Sequence, residues 1–188
     1  MAGTMRFIAL LFVAAAVPGA GDAATILIPD DTTPCDFKAW AMDPDPKGLN
    51  VRAAPDAAAE VIARFVERTK EANGQYVEFR AHGFKNGWLL VEGGEYGDYG
   101  DPPPRTPVYK GWGWVSASLV GGALTSIDGD GLHEAPTDGS KARPLGRGID
   151  EIKVRKILGC APNWVKVDTD VGAGWVHSLC SNQVTTCS

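Results

Sequence analysis

A chain of 188 residues with a formal net charge of -5 lacks the clustered Lys and Arg that displace counterions from nucleic acid or anionic lipid, so neither is expected as a partner. With 44% hydrophobic and 22% charged residues it has the composition of a folded protein, and 23 Gly with 13 Pro disfavour a mostly helical fold.

The N-terminus reads as a secretory signal peptide over residues 1–23. Arg6 supplies the positive start, residues 7–17 an uncharged apolar core, and Pro18-Gly19 a break before small residues, with Gly21 and Ala23 as a small-x-small cleavage site. That core is well short of the roughly 20 residues needed to span a bilayer, so a periplasmic or secreted protein with no stable membrane insertion is expected. All four cysteines, Cys35, Cys160, Cys180 and Cys187, survive cleavage, and an even count in an exported chain implies two disulfides. The short loop favours Cys180 with Cys187, leaving Cys35 for Cys160; Cys160 with Cys180 is the rival pairing. Zinc is not expected, because no C-x-x-C pair and no histidine in ligand spacing accompanies these cysteines.

Residues 24–47 form an N-terminal extension: an Ile26-Leu27-Ile28 run, a polar Pro-containing stretch, and a lead-in strand over residues 37–42. Asp43-Pro44-Asp45-Pro46-Lys47-Gly48 then stops any regular element. Alternating apolar positions predict short strands at 49–52, 61–66 and 75–81, and Asn86-Gly87 predicts a tight turn before a strand at Trp88. Residues 92–111 read as a long loop. Further on, Asp128-Gly129-Asp130-Gly131 predicts a turn and residues 141–148 a basic loop. Strands are expected at 149–158, from Trp164, and at 175–179, with a tight hairpin over 169–174 and a polar tail after Cys180.

The order of these pieces is duplicated. Gly113-Trp114-Val115-Ser116 returns as Gly174-Trp175-Val176-His177, each copy following another Trp-led run, Trp88-Leu89-Leu90-Val91 or Trp164-Val165-Lys166-Val167. Upstream, Val51-Arg52-Ala53-Ala54-Pro55 matches Leu132-His133-Glu134-Ala135-Pro136. Two small β units are therefore expected, residues 48–120 and 121–188. Burial is the expected role of Trp114 and Trp175, since each buried Trp removes roughly 150–250 Å² from water.

The first copy resembles the bacterial SH3-like domain, the SH3b family. Leu49-Asn50-Val51-Arg52 to Pro55 resembles its opening motif, Asn86-Gly87-Trp88 to Val91 its central strand, and Gly113-Trp114-Val115 its closing one. The second copy is divergent and keeps only the Trp164 and Gly-Trp-Val elements. The resemblance implies an all-β fold of two tandem SH3-like barrels. It also implies a non-catalytic binding module of the cell envelope that recognises cell-wall peptide or glycan.

Little in the chain suggests catalysis. His82, His133 and His177 have no nucleophile motif nearby, and a Cys–His peptidase of the kind that often accompanies SH3b modules needs about a hundred further residues and a free thiol. No enzyme activity and no cofactor are expected. The acids at 128–130 and 95–98 are too close for paired glycosidase carboxylates and lack a full calcium ladder. The stretch 92–111 is the prime functional candidate. It is present in one copy only, with 26 positions from Trp88 to Trp114 against 11 from Trp164 to Trp175, and it carries Tyr96, Tyr99 and Tyr109 with Trp112 just beyond. Rigid amphipathic aromatics bind ligands at low entropic cost. A protein–protein adaptor or inhibitor of an envelope enzyme is the alternative function, and an accessory subunit of a cell-wall hydrolase a more distant one.

Overall fold

Alternating apolar and polar residues in both halves form twelve strands in the computed structural model, which describes residues 24–68, 75–97, 104–124, 131–145 and 151–183. The expected signal peptide, the turn acids 128–130, Tyr99 and Cys187 lie outside these. The protein is all-β. The strands are β1 (Thr33–Ala41), β2 (Leu49–Arg52), β3 (Val61–Phe65), β4 (Glu78–Lys85), β5 (Trp88–Gly97), β6 (Arg105–Ser116), β7 (Val120–Leu124), β8 (Gly131–His133), β9 (Ala142–Pro144), β10 (Ile152–Ala161), β11 (Trp164–Thr169) and β12 (Gly172–Val176). No helix among the described residues is long and apolar enough to cross a membrane.

Every pairing is antiparallel, and the order across the sheet is β3-β2-β6-β5-β4-β1-β7-β10-β11-β12-β8-β9. Each strand of the first half has a counterpart six strands later, and the two halves meet where β1 pairs with β7 through Trp40–Gly121 and Ala41–Val120. The lead-in strand starts at Thr33, earlier than its apolar run predicts, and pairs with β4 along its length. The duplication reaches single hydrogen bonds. Ala53 N–H donates to Glu60 O at 3.0 Å and Glu134 N–H to Lys141 O at 2.9 Å, while Asp56 to Ala54 and Thr137 to Ala135 both measure 2.8 Å.

Turn chemistry fixes the hairpins. Asn86 (φ 48°) and Gly87 (φ 83°) both occupy the left-handed region, which closes β4 on β5 with the twist that antiparallel strands need. Pro162-Asn163 closes β10 on β11 with a different turn, in which Asn163 alone (φ 63°) is left-handed because the proline ring fixes φ at about −65°. The glycine of each Gly-Trp-Val has a steric reason. A Cβ on Gly113 would lie 2.4 Å from Val51 Cγ1, and one on Gly174 2.6 Å from Leu132 Cβ, and Val51 and Leu132 are themselves matched positions.

The core is continuous across both halves, from Leu49, Val51, Phe65 and Val115 to Leu132, Val154, Val167 and Val176. Cys35 on β1 and Cys160 on β10 are bonded with Cα atoms 5.9 Å apart, stapling one half to the other. Cys180 is also disulfide-bonded, and its backbone pairs with Ala123 through two 2.9 Å hydrogen bonds. The chain then returns to the first half. There the Gln183 carboxamide accepts from Tyr76 N–H and donates to Tyr76 O, both at 2.9 Å.

Three expectations are corrected. Residues 92–111 are mostly strand rather than loop, because β5 runs to Gly97 and β6 begins at Arg105. Register shifts on both sides of Gly94, with Gly93 at φ 66°, absorb the extra residues, and among the described residues Arg105–Pro107 of β6 pairs with β5 alone, so Pro107 can interrupt only one ladder. The basic stretch 141–148 contains β9, held to β8 by pairs such as Leu132–Arg143. Burial accounts for Trp114, which is wholly buried, but Trp175 stays part-exposed.

Candidate functional site

β5 and β6 extend beyond the length of their counterparts as a hairpin paired out to Gly97–Arg105. A cleft of about 510 Å³ lies at its base, with Phe79, Gly94 and Tyr109 as its apolar lining and three cations, Lys38, Arg80 and Lys110, with three carboxylates, Glu78, Glu92 and Glu95, around it. The β-register explains the polar group. Lys38 on β1 lies opposite Arg80 on β4, Arg80 opposite Glu92 on β5, and Glu92 opposite Trp112 on β6, so one cross-strand row shares a face.

Two of the four aromatic candidates pack inward. Tyr109 sets its ring against Phe65 with centroids 6.0 Å apart, and its hydroxyl donates to Trp112 O at 2.8 Å. Tyr96 donates to Val66 O at 2.5 Å and lies under the Arg68 guanidinium, 4.5 Å from the ring centroid. Burial pushes both phenols above their ordinary pKa, and for Tyr96 nearby Arg68 works in the opposite direction. Trp112 points elsewhere. It is 37% exposed and stacks on His82 at 4.6 Å, while His82 is held by Glu92 at 3.0 Å. The structure therefore joins Tyr109 to the cleft, sets Trp112 on the cross-strand row beside it, and places Tyr96 on the hairpin's other flank; Tyr99 lies outside the described residues.

Charges around the cleft divide into paired and unpaired. Arg80 forms a two-pronged ion pair with Asp36 at 2.6 Å, and this hydrogen bonding holds the Asp36 carboxyl below the usual carboxylate range. Glu78 is buried, accepts from Arg105, and meets both the backbone and the carboxamide of Gln183 at 3.3 Å. Hairpin and tail thus converge on one carboxylate. Lys38 and Lys110 are exposed and form no ion pair among the described residues, leaving two ammonium groups beside an aromatic-lined hollow. An acidic or carbohydrate-bearing ligand suits that combination, through charge-assisted hydrogen bonds and packing on the tyrosine ring.

The second half carries a cluster that spacing in the sequence does not reveal. Trp164 packs on the His177 ring at 3.8 Å and meets His133 edge-on at 5.0 Å, and the two imidazoles lie 6.3 Å apart. His177 Nε2 meets Asp138 at 2.8 Å and its Nδ1 meets Asn163 O at 3.3 Å, while His133 Nδ1 meets Ser140 Oγ at 3.2 Å. Ser140 donates to Ala135 O at 2.9 Å, so its hydroxyl proton already has a backbone acceptor and the group is not arranged as a nucleophile with its base. Among the described residues no group of three or more His, Cys, Asp or Glu is placed to hold a metal ion. Comparison of the chain with known protein families, with characterised proteins and with solved structures gives no match.

Proposed function

We propose that this protein is an exported, non-catalytic binding module of the cell envelope, built from two tandem SH3-like units, that takes cell-wall peptide or glycan in the cleft at the base of the β5–β6 hairpin. One observation carries the reading: the hairpin that breaks the duplication forms the aromatic-lined cleft beside the unpaired Lys38 and Lys110. A peptide carboxylate beside the ammonium groups of Lys38 and Lys110, with an apolar or sugar face on Tyr109, uses the charges of that surface that form no ion pair among the described residues. The N-terminal targeting pattern and the SH3b-like motifs support the choice of such a ligand.

Co-sedimentation with purified sacculi tests the proposal. The oxidised protein should pellet with sacculi, and Tyr109→Ala combined with Lys110→Ala should release it. A protein that stays in the supernatant, while a single defined envelope protein is recovered with it from extracts, would favour the adaptor reading instead.

A further inference from the structure

Trp114 and Trp175 occupy matched positions, yet one is covered and the other is not. The cover on Trp114 is the chain's own N-terminal segment. Trp114 donates its indole N–H to Leu27 O at 2.8 Å, and Leu27 N–H donates to Ala53 O at 2.8 Å, so one residue reads both the tryptophan and the turn after β2. Thr32 and Leu90 sit against Gly83 on the same side, and Asp31 pairs with Lys85.

Among the described residues, the second half repeats this receptor without its occupant. Trp175 lies opposite His133 on β8 as Trp114 lies opposite Arg52 on β2, and Glu134 takes the place of Ala53. Neither the Trp175 indole N–H nor the Glu134 carbonyl has a hydrogen-bond partner among the described residues. The segment that precedes β1 has no second-half equivalent, because β7 follows β6 after a single 3-10 turn at Ala117–Leu119. Chemistry at one further position differs. Leu90, buried beside Trp114, is matched by Lys166, which lies over the Trp175 ring at 5.8 Å and forms no ion pair among the described residues.

We propose that the face formed by Trp175, Glu134 and Lys166 is a docking groove for an extended peptide segment of another protein, held through its backbone and carrying a carboxylate. The segment's backbone carbonyl accepts from Trp175 and its N–H donates to Glu134 O, as Leu27 does in the first half. Its carboxylate meets Lys166. This surface is distinct from the cleft under the hairpin, so either can fail without the other.

The test is a heteronuclear NMR titration of the oxidised protein with a synthetic peptide of residues 24–31, which carries Ile26-Leu27-Ile28 and the acids Asp30 and Asp31. The Trp175 indole signal should shift saturably while that of Trp114 stays in place. Trp175→Phe, which keeps the ring and removes the donor, should weaken binding about three- to tenfold, the worth of one hydrogen bond. Trp175→Ala should abolish it, and a peptide with both acids changed to Asn should bind more weakly than the parent. The proposal is overturned if Trp175 gives no saturable shift, if Trp175→Ala leaves the binding intact, or if only the Trp114 signal responds.

Discussion

The two halves share a strand order, a turn hydrogen-bond pattern and a crowded glycine, yet they differ wherever surface chemistry is at stake. The first half extends its last hairpin into strands of 10 and 12 residues, where the second has 6 and 5. It also covers Trp114, which the second half does not do for Trp175, and it sets exposed Trp112 where the second half has Ala173. Shared features are those that packing demands. Function is therefore to be sought among the differences.

Tryptophan truncation should break the symmetry most. Trp114 is fully buried, so Trp114→Ala should cost about 3–5 kcal/mol, whereas part-exposed Trp175→Ala should cost less than about 2 kcal/mol. Chemical denaturation of both variants measures the gap, and equal losses would mean that the covering segment contributes nothing. The inter-half staple comes next. Replacing Cys35 and Cys160 by Ser opens a loop with a sequence separation of 125 and should cost about 2–4 kcal/mol, with the two halves then melting in separate steps by calorimetry.

Shared crowding predicts a matched pair of smaller effects. Gly113→Ala and Gly174→Ala should each lose about 1–3 kcal/mol, since a Val51 methyl in one half and the Leu132 Cβ with its backbone in the other must move aside. A loss in only one half would show that the repeat is not packed alike. Glu78→Ala should cost about 1–3 kcal/mol and loosen hairpin and tail together, seen as faster amide exchange at both Arg105 and Gln183.

The smallest effect is electrostatic. Asp36 has a depressed pKa from its bond to Arg80, so its contribution is complete above the ordinary carboxylate pKa near 4 and disappears as pH falls through the lower folded value. Asp36→Asn should therefore leave stability in strong acid unchanged and lower it slightly at neutral pH, an effect that salt reduces. The raised phenol groups act in the opposite range. Stability linked to Tyr96 and Tyr109 is present below pH of about 10 and lost as pH rises through their folded values, which ultraviolet titration of tyrosinate follows.

Much of the sheet was legible in the sequence because period-two alternation and Asn86-Gly87 state their geometry locally. The duplication was legible too, and the strand pairing realises it. Less was visible where distant chain decides the outcome. Gly93, Gly94 and Pro107 read as breakers, yet register shifts beside Gly94 and pairing to β5 alone absorb them, so the long loop is a hairpin. Arg143-Pro144 reads as loop because β9 has only β8 beside it. The expectation that burial explains both tryptophans failed at Trp175, since the cover on Trp114 comes from Leu27, far away in sequence. Of the aromatic candidates, Tyr109 lines the cleft, while Lys38, Arg80 and Glu92 came to it only through the β1–β4 and β4–β5 registers.

Ligand binding by the hairpin of the first half is tested most directly by titrating a soluble muropeptide into the oxidised protein and following chemical shifts along the whole chain. Saturable shifts should concentrate at Lys38, Tyr109, Lys110 and Trp112, with the equivalent β11–β12 hairpin unmoved. Shifts absent from the first hairpin, or centred on Trp164 and His177, would contradict it.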